Sequence, residues 1–297
     1  MKIYDCFMYY DEDLVLDIRL NYLDKFVDKF VIIESTYAHN GDKRKLLFNK
    51  KKFSKFSNKI IYKILNKKPE GLIKVNETNY ENINSIKILN ATKRENFQRN
   101  YILEGLKNAN KEDIIIISDI DEIPKLDNFD CTKIRNKVHI FEQKYLYYKL
   151  NLFDPTIAWH GSRACKFSRL LSPQWIRNIK AKKYSFWRLD LLFSNNKYFN
   201  ISIERNAGWH FSYLKNSLGI KKKLKTYLHH NEYDLNPINI NKINKIIKSK
   251  KAIYDLNLDQ RANNRFLTGN KLSKFNFKLL PSYIQDNRTK FKKWFYN

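Results

Sequence analysis

Three acidic residues follow the most apolar segment of the chain. Asp119, Asp121 and Glu122 come directly after Ile114–Ile117, and Pro124 closes the stretch. A continuous apolar run is typical of a buried parallel strand, and open α/β sheets bind ligands at the carboxyl ends of such strands. Residues two apart on an extended backbone point the same way, so both are expected at one Mg²⁺ or Mn²⁺ site. Asp121 is predicted to bind the metal directly, and Asp119 to hold either the metal through water or the ribose of a nucleotide. The alternative is a solvated loop, because acidic residues also commonly end strands at the surface.

A second group of candidate residues lies later in the chain. His210 follows Gly208 and Trp209, and its imidazole suits Mn²⁺ as a further ligand, whereas the alternative is a buried histidine with backbone partners. Trp209 is predicted to present its face to a sugar ring, although a core tryptophan is the commoner outcome. Trp159 and Arg163 are also predicted to contact the substrate.

Candidate nucleotide contacts precede the acidic stretch. Arg94 and Arg99 lie five residues apart on an expected helix, and arginine suits bidentate phosphate binding. One of them is expected to bind phosphate while the other pairs with a nearby acid or with solvent. Glu34, Ser35 and Thr36 end an apolar run, which suits a nucleobase or ribose site as well as ordinary polarity at a strand end.

A transfer to a hydroxyl group needs a general base. Glu232, Asp190 and Glu204 are possible, and Glu232 is favoured because it follows two histidines in one of the blocks that carry the family resemblance described below. Asp121 and Glu122 complete the predicted catalytic set, and Glu122 is equally well explained as a structural acid. The lysines of residues 221–225 could hold phosphate, but a run of charges is usually a solvated face.

The first part of the chain alternates between strand and helix patterns. Strands are expected at residues 3–8, 29–35, 59–65 and 113–118, and helices at residues 11–23 and 92–109, the second with Thr92 and Glu95 as a capping box. This alternation predicts a doubly wound α/β sheet. Residues 199–205 are expected to form a later strand, and the amphipathic residues 236–251 a helix.

Composition limits the possible classes of protein. The chain has 297 residues and a formal net charge of +27, which suits an anionic partner as well as a genome that favours lysine codons. Its three cysteines contain no CxxC pair, so a reducing compartment is expected. We see no signal peptide and no apolar span of about 20 residues, so a cytoplasmic protein, soluble or peripheral to a membrane, is predicted.

Several blocks, in order, give the sequence a family resemblance. They are Tyr4-Asp5-Cys6-Phe7, Phe30-Val31-Ile32-Ile33-Glu34-Ser35, Arg94-Glu95 with Arg99-Asn100, Ser118-Asp119-Ile120-Asp121-Glu122-Ile123-Pro124, Ala207-Gly208-Trp209-His210-Phe211-Ser212-Tyr213, His230 with Glu232, and Leu280-Pro281-Ser282-Tyr283-Ile284. Together they resemble glycosyltransferase family 17, the family of the β-1,4-mannosyl-glycoprotein β-1,4-N-acetylglucosaminyltransferase. Residues 141–200 match only loosely, and eukaryotic members carry a membrane anchor that is not seen here.

The resemblance implies a GT-A type, Rossmann-like nucleotide-sugar-binding fold and an inverting reaction. It also implies a UDP-sugar donor with Mn²⁺, a glycan or glycoconjugate acceptor, and N-acetylglucosamine as a candidate sugar. We expect one domain over residues 1–297, with a nucleotide-sugar-binding half (1–125), an acceptor-side half (126–235) and a helical C-terminal extension (236–297).

Two other functions are also compatible with the sequence. The net charge of +27 and the 15% aromatic content suit nucleic-acid binding, but no helix-turn-helix, zinc or RNP-like motif is present, so no specific nucleic acid is expected. A Mg²⁺-dependent nucleotidyltransferase shares the acid pair, yet no GxxxxGK[ST] motif is present. The basic, aromatic residues 290–296 suggest peripheral contact with an acidic membrane, and the sequence gives no prediction of the oligomeric state.

Overall fold

The protein is a mixed α/β structure. The computed structural model describes residues 1–74, 80–134, 137–185, 187–191, 193–194, 196–226, 230–258 and 265–296. Within these ranges ten strands join in one sheet. They are β1 (Ile3–Tyr9), β2 (Lys29–Ser35), β3 (Ile60–Leu65), β4 (Ile114–Asp119), β5 (Glu122–Pro124), β6 (Val138–Tyr147), β7 (Leu152–Lys166), β8 (Ile201–Glu204), β9 (Gly208–Ser212) and β10 (Ser273–Lys274).

Helices cover the sheet on both faces. They are α1 (Asp13–Leu23), α2 (Tyr80–Asn100), α3 (Pro173–Asn178), α4 (Ser217–Thr226), α5 (His230–Leu235), α6 (Ile240–Lys248) and α7 (Ser282–Asp286). The strands and helices predicted before residue 120 are therefore present, as is the later strand β8. The predicted α/β class is confirmed at this level.

The boundaries of α2 differ from the prediction. Thr92 lies inside the helix and donates its hydroxyl to the carbonyl of Ile88 at 2.9 Å, so it does not cap the start. The segment Tyr101–Gly105 is a tight 3₁₀ turn. A Cβ on Gly105 would lie 2.3 Å from Val31 Cγ1, so this glycine is needed for the close approach to β2. The helix therefore ends where the chain must pack against the sheet.

The sheet combines a parallel half with a mixed half, in which β6 is antiparallel to β7 but parallel to β8 and β9. Its strand order is β3-β2-β1-β4-β7-β6-β9-β5, with β10 beside β7 and β8 beside β6. The first four strands of this order are mutually parallel, and β7 runs antiparallel to β4. Because β5 follows β4 in the chain but pairs with β9 at the far end, the sheet curls back toward the end of β4.

Strand β4 is buried on both faces. Its side chains alternate between two separate hydrophobic clusters, with Ile114 and Ile116 in one and Ile115 and Ile117 in the other. All four are fully buried, and burial of an isoleucine contributes about 1.5–3 kcal/mol. This packing fixes the position and direction of the chain where it passes from β4 into the acidic residues that follow.

The C-terminal region is only partly helical. Helix α6 begins after Asn239, whose side chain accepts from the Lys242 amide at 2.8 Å, and Pro237 precedes this cap. The later strand β10 joins the sheet beside β7, which the prediction of a helical extension missed. The proposed division of the chain at residues 125 and 235 stays a prediction.

The aromatic tail packs on the body of the protein. Phe291 is fully buried, and Trp294 and Phe295 pack against the main core. Asn151 accepts a hydrogen bond from the Tyr296 amide at 2.7 Å. Trp294, Phe295 and Tyr296 remain partly exposed, so contact of this tail with a membrane stays a prediction. Among the described residues, no helix has the length and apolar character needed to cross a bilayer.

Candidate active site

A cavity of about 420 Å³ opens at the carboxyl ends of β1, β2 and β4. Asp119 and Asp121 line it, as does His210 from β9. The segments that follow β1 and β2 form one wall, through Tyr10 and His39 among others. The sheet therefore brings three of the predicted site residues to the edge where α/β sheets bind ligands.

The acidic residues lie on a turn rather than on an extended strand. Asp119 ends β4, Ile120 and Asp121 form the turn, and Glu122 begins β5. The expected extended backbone is therefore wrong, and the carboxylates point in different directions. Asp119 keeps 35% of its side chain exposed and Asp121 keeps 10%, whereas Glu122 has none exposed.

Arg19 holds the backbone of this acidic turn through hydrogen bonds to its carbonyls. It is fully buried on α1 and pairs with Asp5 of β1 at 2.5 and 2.7 Å. One of its terminal nitrogens donates to the carbonyls of Asp119, Ile120 and Glu122 at 3.2, 3.1 and 2.7 Å. Sequence reasoning missed this residue. Asp5 could have indicated it, because a charged side chain within an apolar strand needs a buried partner of opposite charge.

Two arginines hold the carboxylate of Asp119. Arg99 contacts one carboxylate oxygen and Arg177 the other, each at 3.0 Å. Burial alone would raise the pKa of Asp119, but Arg177 and Arg99 outweigh it and hold that pKa at about 2. Arg177 also binds both carboxylate oxygens of Glu122, at 2.7 and 2.9 Å. Arg99 also pairs with Glu95 at 2.6 Å, which is the acid pairing expected of one of the two predicted arginines, whereas Arg177 was not predicted.

Asp121 faces a histidine and a lysine. His210 Nε2 lies 3.4 Å from one of its carboxylate oxygens, and Lys223 Nζ lies 3.1 Å from the other. Burial would raise the pKa of Asp121, but Lys223 and then His210 outweigh it and hold that pKa far below its ordinary value. The other ring nitrogen of His210 is buried, and the described residues offer it no hydrogen-bond partner.

The fit of a divalent cation to this site rests on two residues. Asp121 Oδ1 and His210 Nε2, 3.4 Å apart, are close enough to be neighbouring ligands of one ion. Both oxygens of Asp119 bind arginine, so its predicted place at the metal site stays a prediction. Among the described residues no cluster of three or more such ligands occurs. Mg²⁺ and Mn²⁺ suit a site with few protein ligands, since they keep positions for water and phosphate oxygens.

Trp159 forms an aromatic wall of the cavity. Its indole nitrogen donates to Glu122 at 2.8 Å, which fixes the ring, and its ring lies 4.6 Å from that of His210 and 5.3 Å from that of Tyr145. Trp159 is partly exposed and also borders an adjoining shallow groove. Glu122 is thus a fully buried acid that orients Trp159 and Arg177. This placement favours the structural role that the sequence allowed as the alternative to a catalytic one.

Two residues predicted to contact the substrate, Trp209 and Arg163, lie outside the cavity. Trp209 is 5% exposed, donates its indole nitrogen to the carbonyl of Leu279 at 2.8 Å and packs edge-on against Tyr22. Arg163 is buried and donates to the carbonyl of Gly161 at 2.9 Å and to a second carbonyl on the loop after α3. Burial, and then nearby Arg177, lowers the pKa of Arg163 to about 9. Neither side chain borders the cavity.

The predicted nucleotide contacts at the end of β2 do not line the cavity and make contacts within the fold. Glu34 is fully buried and accepts from Arg44 at 2.8 Å and from Tyr62 at 2.7 Å. Ser35 accepts from the Tyr37 amide and Thr36 donates to a carbonyl of β3, so both complete local structure.

The residues that follow β2 line the cavity in their place. They include His39, whose ring contacts Gln98 at 3.2 Å, and burial lowers the pKa of His39. Arg94 binds the carbonyl of His39 at 3.0 Å, and a Cβ on Gly41 would lie 2.8 Å from the Arg94 guanidinium. Arg94 therefore supports this wall from outside the cavity.

The candidate bases lie at different distances from the cavity. Glu232 does not line it, although Glu232 pairs at 2.6 Å with Arg265, which does. Asp190 is exposed and pairs with arginine and lysine, and Glu204 pairs with a histidine at 2.9 Å, so both lie outside the cavity.

Two acids before α1 do line the cavity. Asp11 binds Lys215 and Lys222, and although burial would raise the pKa of Asp11, these lysines outweigh it and lower that pKa. Glu12 accepts from the amides of Tyr10 and Asp11 at 3.1 and 3.0 Å through one oxygen. Its other oxygen lies 3.8 Å from Lys215.

Comparison with known proteins gives the chain its family. No curated protein matches it at a significant level. A crystal structure of HddC from Yersinia pseudotuberculosis complexed with GMP-PN is 14% identical over 69% of this chain and 91% of that chain, with a TM-score of 0.29, too weak a likeness to define fold or function. The model of glycosyltransferase family 17 matches residues 1–171, more than half of the 297 residues, and this match includes the acidic turn and Trp159. The chain therefore belongs to glycosyltransferase family 17 and is a glycosyltransferase.

Proposed function

We propose that this enzyme transfers a sugar, N-acetylglucosamine in the first instance, from a UDP-sugar to a glycan hydroxyl with inversion, using Mn²⁺ or Mg²⁺ on a GT-A type fold. The observation that carries the proposal is the pair Asp121 and His210, whose facing atoms lie 3.4 Å apart on a cavity at the carboxyl ends of parallel strands. The bound cation would neutralise the departing diphosphate, which is an electrostatic form of catalysis.

The nucleotide side of the cavity lies after β1 and β2. Tyr10 and Tyr37 supply aromatic surfaces there, and His39 supplies a partly buried ring beside Gln98. The volume of about 420 Å³ suits a ligand of nucleotide-sugar class. These features support a nucleoside diphosphate whose base lies over β1 and β2 and whose diphosphate reaches Asp121.

The acceptor side is formed by the aromatic wall. Trp159 presents a partly exposed ring whose orientation is fixed by Glu122, and an apolar ring face packs well on the C–H face of a sugar. Glu12 lines the same cavity and keeps one carboxylate oxygen without a close hydrogen bond among its described contacts. We propose Glu12 ahead of Glu232 as the base that accepts the proton of the acceptor hydroxyl.

A donor screen tests this function. Purified protein is incubated with UDP-, GDP-, dTDP- and CMP-sugars, with Mn²⁺, Mg²⁺ or EDTA, and release of the nucleoside diphosphate or monophosphate is followed. We expect one UDP-sugar to be consumed slowly without acceptor, only with metal, and not by Asp121→Ala. Asp286→Ala is the matched control, because Asp286 is an exposed acid outside the cavity.

The outcomes of the screen separate the alternatives. Full activity in EDTA or in Asp121→Ala would contradict the proposed metal role. A parallel incubation with nucleoside triphosphates and sugar 1-phosphates tests the nucleotidyltransferase, since only that activity would release pyrophosphate from them. Once an acceptor is found, NMR of the product gives the anomeric configuration, and retention of the donor configuration would refute the inverting reaction.

A further inference from the structure

Lys223 differs from its neighbours on helix α4. Residues 221–225 look like a uniform solvated face in sequence, yet Lys223 lines the cavity while Lys225 is exposed. Ile220 and Leu224 on the same helix are fully buried, which fixes the rotation of α4 and turns Lys223 toward the acidic turn. The side chain therefore belongs to the site and not to the solvated face.

The position of Lys223 conflicts with a cation on Asp121. Its Nζ lies 3.1 Å from Asp121 Oδ2, while His210 lies 3.4 Å from the other oxygen of the same carboxylate. A divalent ion held by Asp121 and His210 would repel the ammonium group strongly at this separation, since the site is buried and poorly screened. Lysine has a flexible stem, and the open cavity leaves room for its head to move.

The other basic side chains around the cavity pair with carboxylates that are not expected to bind the divalent cation directly. Arg99 and Arg177 bind Asp119, and Lys215 and Lys222 bind Asp11. Among the described carboxylates, Lys223 forms its ion pair with Asp121 alone. Lys223 is thus the basic side chain that an ion on Asp121 would release, at the point where an anionic diphosphate would enter.

We propose that Lys223 is a diphosphate-binding residue of the donor site, held by Asp121 until a divalent cation takes that carboxylate and then released to the phosphate oxygens. This inference rests on the proposed metal-dependent function. It assigns opposite effects to one side chain: Lys223 competes with the cation when no donor is bound, and it assists the donor when the cation is present.

Two binding measurements test the proposal without turnover. Mn²⁺ affinity is measured without nucleotide from the EPR signal of the free ion, and UDP affinity is measured by calorimetry at saturating Mn²⁺. In Lys223→Met we expect Mn²⁺ to bind more tightly by at least about threefold, because its competitor is gone, and UDP to bind more weakly by at least about tenfold. Lys225→Met is the matched control and should equal the unmutated enzyme in both.

A second variant, Lys223→Arg, keeps the positive charge at this position, so the test does not depend on whether Lys223→Met folds. In Lys223→Arg the guanidinium can bind the Asp121 carboxylate in a bidentate manner, so we expect Mn²⁺ to bind more weakly than in the unmutated enzyme. Weaker Mn²⁺ binding in Lys223→Met, or unchanged UDP binding in that variant, would overturn the proposal. If the unmutated enzyme binds neither Mn²⁺ nor UDP, the proposed function fails instead, so the two failures are distinguishable.

Discussion

Replacement of Arg19 by methionine should destabilise the whole enzyme. The guanidinium of Arg19 and the carboxylate of Asp5 are both fully buried, so loss of the guanidinium leaves the Asp5 carboxylate buried without a counter-charge. Breaking a buried ion pair in this way costs about 3–5 kcal/mol. Three carbonyls of the acidic turn would also lose their donor, which places the expected effect toward the upper end of that range. Because domains of this kind are stable by about 5–15 kcal/mol, Arg19→Met should fold but be marginal.

Urea unfolding followed by circular dichroism measures this loss. The double variant Asp5→Leu/Arg19→Met removes both charges, so we expect it to be more stable than Arg19→Met although it carries one more substitution. It should still bind UDP with Mn²⁺ poorly, because the turn carbonyls lack their donor in both variants. Arg205→Met, at an exposed arginine, is the control and should stay within about 0.5 kcal/mol of the unmutated enzyme. A loss below about 1 kcal/mol in Arg19→Met would refute the reasoning.

Three further predictions concern the cavity. The pKa of Asp119 is lowered to about 2, so its ion pairs stabilise the fold fully above about pH 4 and lose this effect as the pH falls toward 2. The difference in unfolding free energy between the unmutated enzyme and Asp119→Asn, measured by urea titration, should therefore become smaller between about pH 4 and pH 2. A constant difference would contradict the pairing. Trp159→Ala should raise KM for the acceptor more than KM for the donor, whereas equal changes in steady-state kinetics would point to a general packing defect. Glu12→Gln should lower kcat by about 10²-fold or more with UDP affinity retained, while Glu232→Gln should stay within about threefold; the reverse order would restore Glu232 as the base.

Local sequence patterns are sufficient to predict the first half of the fold. The apolar runs that form β2 and β4 have the continuous hydrophobicity that only strands covered on both faces need. The carboxyl ends of these runs therefore indicate where the site lies. Helix α2 was misplaced because its end depends on the approach of Gly105 to Val31, a contact across the fold that no local pattern contains.

The choice between Trp209 and His210 could have been made from sequence. Successive residues of a strand face opposite sides of the sheet, so these neighbours on β9 cannot both face one cavity. The structure places Trp209 and Phe211 in the core and His210 and Ser212 on the cavity wall. If His210 is expected to be a metal ligand, strand periodicity predicts a core position for Trp209.

The basic partners of the site could not be predicted in the same way. Arg177 and Lys223 reach the acidic turn from α3 and α4, and each is one basic residue among many in a chain of net charge +27. Which of them turns inward depends on the rotation of a short helix, and that is set by apolar neighbours such as Ile220. Charge patterning alone therefore predicts a basic surface but not the residues that pair.

The pairing of charges around the cavity has a consequence for donor entry. Five carboxylates line the cavity, and each lies within 4 Å of a described basic side chain: Asp11, Glu12, Glu95, Asp119 and Asp121. An unpaired cluster of this size would repel a nucleoside diphosphate and would be expensive to bury. Lysine is the partner of Asp11, Glu12 and Asp121, and arginine is the partner of the other two acids. Because each of these acids is paired with a basic side chain, the cavity would not repel the proposed anionic donor as it enters.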